Sequence, residues 1–112
     1  MISGTVLTPF YWTHSTVPAQ IRQGNVLVAA ILGVNFSTAF VFLQLHRRAP
    51  IANQVPLYSV PFPPDGSTVA LDATHLCGDG IASDDMWVAL SLSQVVYQAA
   101  ITANGSVQLM IR

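Results

Sequence analysis

The chain has no lysine and no glutamate anywhere in its 112 residues. Its charges are Arg22, Arg47, Arg48 and Arg112 set against five aspartates, so only 8% of the residues are charged, where about 25% is usual for a soluble domain. Lysine and glutamate are the common residues of solvated faces, and they are depleted in protein interfaces. Their absence points to a surface largely covered by partners. With 52% apolar residues and a net charge of -1, a free monomer would tend to associate, and intrinsic disorder is excluded. Four arginines, only two of them adjacent, make no basic stripe, so direct nucleic-acid binding lacks its footprint. The single Cys77 cannot form an internal disulfide and reads as a small buried apolar residue.

Residues 26–45 are about long enough to span a membrane as a helix, and a small membrane-inserted protein is the reading that this length supports. Three features oppose it. Asn35, Ser37 and Thr38 fall at the centre, where polar groups cost most in lipid. Gly33 and the β-branched Val26, Val28, Ile31, Val34 and Val41 favour extended structure in water. Arginines flank both ends, which specifies no orientation. The N-terminus does not read as a signal peptide, because no positive charge precedes its apolar residues and Pro9, Trp12, His14 and Pro18 interrupt them.

The stretch reads better as a two-stranded hairpin, with strands over 25–34 and 39–46 and a turn at Asn35-Phe36-Ser37-Thr38. Both strands are almost continuously apolar, which implies cover on both faces: a core on one side and a neighbouring subunit on the other. Further along, 47–54 is a loop and 55–62 an extended edge segment carrying Pro56 and Pro61. Pro63-Pro64-Asp65-Gly66 is the strongest turn signal. Residues 67–73 alternate Val69 and Leu71 against Thr68, Ala70 and Asp72, a half-buried strand. A loop at Gly78-Asp79-Gly80 follows. Residues 86–93 alternate again, which favours a strand over a helix capped by Ser83-Asp84-Asp85 and running over 86–100. Asn104-Gly105 is the residue pair of a tight hairpin and predicts strands on either side, over 95–101 and 106–111. Short strands spaced by turn signals predict an all-β, single-domain antiparallel β-sandwich or jelly-roll-like barrel over residues 21–112.

Residues 1–20 stand apart. Pro9 and Pro18 bracket the aromatic run Phe10-Tyr11-Trp12 and the polar Thr13-His14-Ser15-Thr16. An aromatic segment without clear period predicts an N-terminal arm docked on a partner, anchored by Phe10, Tyr11 and Trp12.

One order of motifs is familiar. Ala39-Phe-Val-Phe-Leu-Gln-Leu-His46 is followed by Pro50, then Val55-Pro56-Leu57-Tyr58-Ser59-Val60-Pro61, Gly80-Ile81, and Met86-Trp87-Val88-Ala89-Leu90-Ser91. Over residues 25–100 this resembles the small β-sandwich virion proteins of tailed bacteriophages. Those run through an Asn-rich hairpin, an "RYLQLYN" strand, a Pro loop, a "P-hydrophobic-P" strand, a "GI" segment and a "VALS" strand. The chain departs from the pattern in having Phe40 and Val41 without a basic residue, and in lacking glycines after Pro50. The resemblance implies a head decoration, cement, neck or fibre component, localised to the virion after assembly in the host cytoplasm. Its implied partners are a major capsid protein or other virion subunits.

Chemistry is sparsely supplied. His75, Cys77 and Asp79, with Asp72, could offer metal ligands, but the paired spacing of structural zinc sites is missing. Asp84-Asp85 lacks calcium-loop spacing and reads as a solvated turn. Cys77 with His14, His46 or His75 could form a nucleophilic set, but no Gly-x-Ser-x-Gly or phosphate loop supports it and no glutamate is available for acid–base work. No enzyme activity, cofactor or metal is expected. Arg47-Arg48 is a solvated strand end that could also clamp a partner's carboxylates. The leading expectation is an accessory structural protein that homo-oligomerises as a dimer or trimer and stabilises a shell by burying apolar surface between its subunits. The alternative is a glycan- or ligand-binding module of a virion fibre, with Trp12, Tyr58, Trp87 and Tyr97 as stacking residues.

Overall fold

Short runs of β-branched and aromatic residues, punctuated by glycine and proline, make strands the dominant regular structure of the chain. The computed structural model describes residues 7–76 and 78–112. Among them run β1 (Thr8–Thr13), β2 (Ala19–Gln20), β3 (Asn25–Asn35), β4 (Val41–His46), β5 (Tyr58–Phe62), β6 (Ser67–Leu71), β7 (Ile81–Asp84), β8 (Trp87–Ser91) and β9 (Gly105–Ile111). The one helical element described is a single 3₁₀ turn, Ala73–His75. The fold is an all-β antiparallel sandwich. One sheet has the order β1-β9-β3-β6, with β7 also pairing along β3, and the other has the order β2-β8-β4-β5.

Between the sheets, Val28, Ile31, Leu43, Leu45, Phe62, Leu90 and Leu109 are fully buried. Each inward side chain removes apolar surface from water, worth roughly 1.5–3 kcal/mol for a Val, Leu, Ile or Phe. Residues 26–45, weighed above as a spanning helix, form β3 and β4. No helix among the described residues is long and apolar enough to cross a membrane.

Two expected hairpins are absent. β3 and β4 arise close to the predicted bounds, but they lie in opposite sheets and pair with other strands. Two nearly all-apolar strands both need the core, and opposite sheets let both face it. Asn35 sets the crossing. Its side-chain amide donates to the carbonyls of Ala39 and Phe62 at 2.9 and 3.0 Å, while its oxygen accepts from the Ser37 backbone N–H and hydroxyl at 3.0 and 2.6 Å. At Asn104-Gly105 the predicted preceding strand does not form: 95–101 is irregular, apart from a bridge between Ser91 and Ala99. Gly105 starts β9 with φ 148°, and a β-carbon there would collide with the Val34 carbonyl oxygen and the His14 ring. Glycine is required for close approach rather than for a two-residue turn.

The N-terminal segment also departs from expectation. Instead of an arm leading away, Thr8–Thr13 runs along β9 at the sheet edge, and Ala19–Gln20 runs along β8. Residues 1–6 of the expected arm lie outside the described residues. Pro9 is compatible with a strand because β1 is an edge, where a missing N–H leaves no ladder bond unmade.

Candidate assembly surface

The two sheets treat their outward faces differently. On β4 the outward side chains include Gln44 and His46, both fully buried. The cover comes from the chain itself, not from the neighbouring subunit expected above. Residues 92–100 cross over this face, with Gln44 Nε2 donating to the carbonyls of Ser93 (2.7 Å) and Val96 (3.3 Å). The loop after β4 closes the cover through backbone bonds from Asn53 N to Tyr97 O and from Tyr97 N to Gln54 O. Beneath it, His46 Nε2 meets Gln44 Oε1 at 2.9 Å and His46 Nδ1 meets Gln54 Nε2 at 3.0 Å. The amide oxygen can only accept and the amide nitrogen can only donate. The network therefore assigns a neutral imidazole protonated at Nε2. Burial pushes the His46 pKa down to about 4, in keeping with that form, and raises the Tyr97 hydroxyl above its ordinary value. With both ring nitrogens engaged, His46 is a structural clasp.

The five-stranded sheet has no such cover among the described residues. Outward positions on β1, β9, β3 and β6 alternate with the core positions and carry Tyr11, Leu32, Val34, Ala70, Gln108 and Met110 among others. None of these outward positions is charged. Tyr11 is 71% exposed and Leu32 43% exposed. A shallow depression of about 590 Å³ runs across all four strands, with Thr13, Thr68 and Ser106 at its polar margin. Charge begins only at the rim, at Arg112 and at Asp84 opposite Asn25. An exposed contiguous apolar surface on a strand face is the ordinary mark of an interaction site.

A bulge in β3 creates this face. The register slips between Val28 and Ala30, so the inward set changes from Val26 and Val28 to Ile31, Gly33 and Asn35. Past the slip, Ala30, Leu32 and Val34 turn outward. Nothing in the sequence pattern singled these residues out, because the run is apolar on both parities.

No family model, curated protein or solved structure matches the chain.

The site residues expected from sequence are dispersed. Tyr11 lies on the bare face, Phe10 is half-buried against the core, and Trp12 is itself a core residue at 8% exposure. Alternation on β1 sends Tyr11 to one side of the sheet and Phe10 and Trp12 to the other. Arg47 and Arg48 are exposed in the loop after β4, in the other sheet, and make no ion pair among the described residues. Beside them Ile51 and Val55 are exposed and line a second groove. Of the four aromatics proposed for glycan stacking, Trp12 and Tyr97 are buried, and Tyr58 and Trp87 are half-buried on different strands. They form no common exposed platform.

No three metal-ligating side chains converge among the described residues. Cys77 lies outside them. Asp72 instead accepts from the Thr74 hydroxyl at 2.6 Å and pairs with His75 at 2.9 Å across the 3₁₀ turn, which holds its carboxyl below the usual range, chiefly through the Thr74 bond. Asp85, at φ 53°, accepts from Gly24 N–H at 2.7 Å and ties two loops together. These aspartates serve turns. His14 is the odd group: it is 5% exposed between Trp12 and Phe62, and neither ring nitrogen has a partner among the described residues.

Proposed function

We propose that the chain is an accessory structural protein of a virus particle, acting by protein–protein assembly and not by catalysis. The observation that carries this reading is the charge-free outward side of β1, β9, β3 and β6, with Tyr11 and Leu32 standing into solvent. The resemblance of residues 25–100 to phage sandwich proteins supplies the setting, and the lack of lysine and glutamate agrees with a surface made to be covered. Binding only the assembled shell would stabilise it by mass action. Mass spectrometry of purified particles of the virus encoding the chain, with copies counted against the main shell subunit, tests this. A fixed integer ratio is expected; protein found only in the infected-cell lysate refutes it.

A second reading, a glycan-binding fibre module, is favoured by one feature. Hydroxyls of Thr13, Thr68 and Ser106 edge the depression beside the exposed Tyr11 ring, an arrangement suited to a neutral sugar. Glycan-array binding lost in Tyr11→Ala would support it, and an empty array would exclude it.

A further inference from the structure

We propose that the outer face of the five-stranded sheet is the contact face of a homodimer, occupied by a second copy of this chain about a two-fold axis. This rests on the assembly reading above and names a partner for it.

Three observations choose that occupant. The chain shields the outward face of one sheet with its own residues 92–100 and leaves the other bare among the described residues. In a two-fold contact the residues near the axis meet their own copies, so a single charge there would be set against itself. The outward positions of β1, β9, β3 and β6 carry no charge at all, and the first charged side chains stand at the rim. A charge-free face suits its own copy in a way that a charged one does not.

Area gives the third. Four strands about 4.8 Å apart make a face roughly 19 Å wide. The seven residues of β9 give it a length of roughly 24 Å. Two such faces cover about 900 Å² in plan, and projecting side chains raise the accessible area above that, to the ~1,000 Å² that a specific interface needs. Relief on the face matches this use. Leu32, Gln108 and Met110 project from its middle strands, flanked by the small Ala30 and Ala70. Stacked sheets interdigitate such side chains at about 10 Å separation, and the 590 Å³ depression offers the room.

Sedimentation velocity on the full chain tests the dimer, at protein concentrations from roughly 1 to 100 µM, the range populated by contacts at the low end of the size scale. Leu32→Arg and Ala70→Arg each place a charge on the face. Ile101→Arg, at a residue 82% exposed and off the face, is the control. Wild type and control are expected to sediment as dimers. The two face variants should keep the wild-type circular dichroism spectrum and weaken association at least tenfold. Ala70 is exposed on an edge strand, so its variant stands in if Leu32→Arg fails to fold. A monomeric wild type at the highest concentration overturns the inference. So do face variants that dimerise like wild type, or an assembly larger than two. A monomer still present at fixed copy number on particles would overturn the dimer alone, whereas a dimer missing from particles would overturn the virion role alone.

Discussion

Acid should loosen this fold before its aspartates protonate, and the buried histidines are the cause. The His14 ring is held between Trp12 and Phe62, with centroids 5.8 and 5.6 Å away, and both nitrogens lack partners among the described residues. Burial holds His14 and His46 at about 4, against an ordinary value of 6.5 that returns on unfolding. Above pH 6.5 both states are neutral and stability does not change with pH. Between 6.5 and 4 the unfolded chain takes up protons that the folded chain refuses. Stability then falls by about 1.4 kcal/mol per pH unit for each histidine. At pH 5 the loss is about 2 kcal/mol each, or about 4 together, a large part of the 5–15 kcal/mol typical of a domain. Below pH 4 the folded form protonates as well and the decline levels off. Urea unfolding followed by tryptophan fluorescence at pH 7.5, 6 and 5 measures it. His14→Leu, of similar volume, removes two unsatisfied nitrogens. It should raise stability at pH 7.5 by about 1 kcal/mol or more and roughly halve the pH slope. A wild-type stability that is flat from pH 7.5 to 5, or an unchanged slope in His14→Leu, would refute the reasoning.

Three other outcomes are expected. Asn35→Ala leaves the Phe62 carbonyl without its buried donor and should cost about 1–3 kcal/mol in chemical denaturation. Gly105→Ala forces a β-carbon into the Val34 carbonyl and the His14 ring; a melting point within a degree of wild type would contradict the close approach. Leu43→Ala empties a fully buried site between the sheets and should cost about 2–5 kcal/mol by urea titration.

The fold class was legible because it depends on local signals. Turn residues at Pro63-Pro64-Asp65-Gly66 and the alternation of Thr68–Leu71 and Met86–Leu90 mark strands without reference to partners. Pairing was not legible. A continuous run such as residues 26–34 has no preferred parity, so neither the slip at Ala29 nor the sheet that each strand joins is written in it. Asn104-Gly105 shows the same limit: the pair that usually closes a hairpin serves here for close packing against β3 and His14. Pro9 misled in the opposite sense, since it bars a central strand but not an edge. Of the site, Tyr11 was legible only as one of three partner-binding aromatics, not as a residue of a sheet face. Leu32 and Met110 became visible only once the register fixed which side each strand turns outward.

The rim that confines charge also bears on how fast the protein finds a partner. All four arginines lie on the half of the sandwich nearer the start of β3, together with Asp72, Asp79, Asp84 and Asp85, leaving only Asp65 near its far end. Four arginines against five aspartates leave a net charge of only -1, and salt screens each charge beyond a Debye length, about 8 Å in physiological salt. The molecule therefore projects little field toward an approaching surface, and its encounters are unsteered. Association should proceed at the ~10⁵–10⁶ M⁻¹s⁻¹ of neutral partners and barely respond to ionic strength. A complex built this way holds through slow release once apolar surface is buried, rather than through rapid capture.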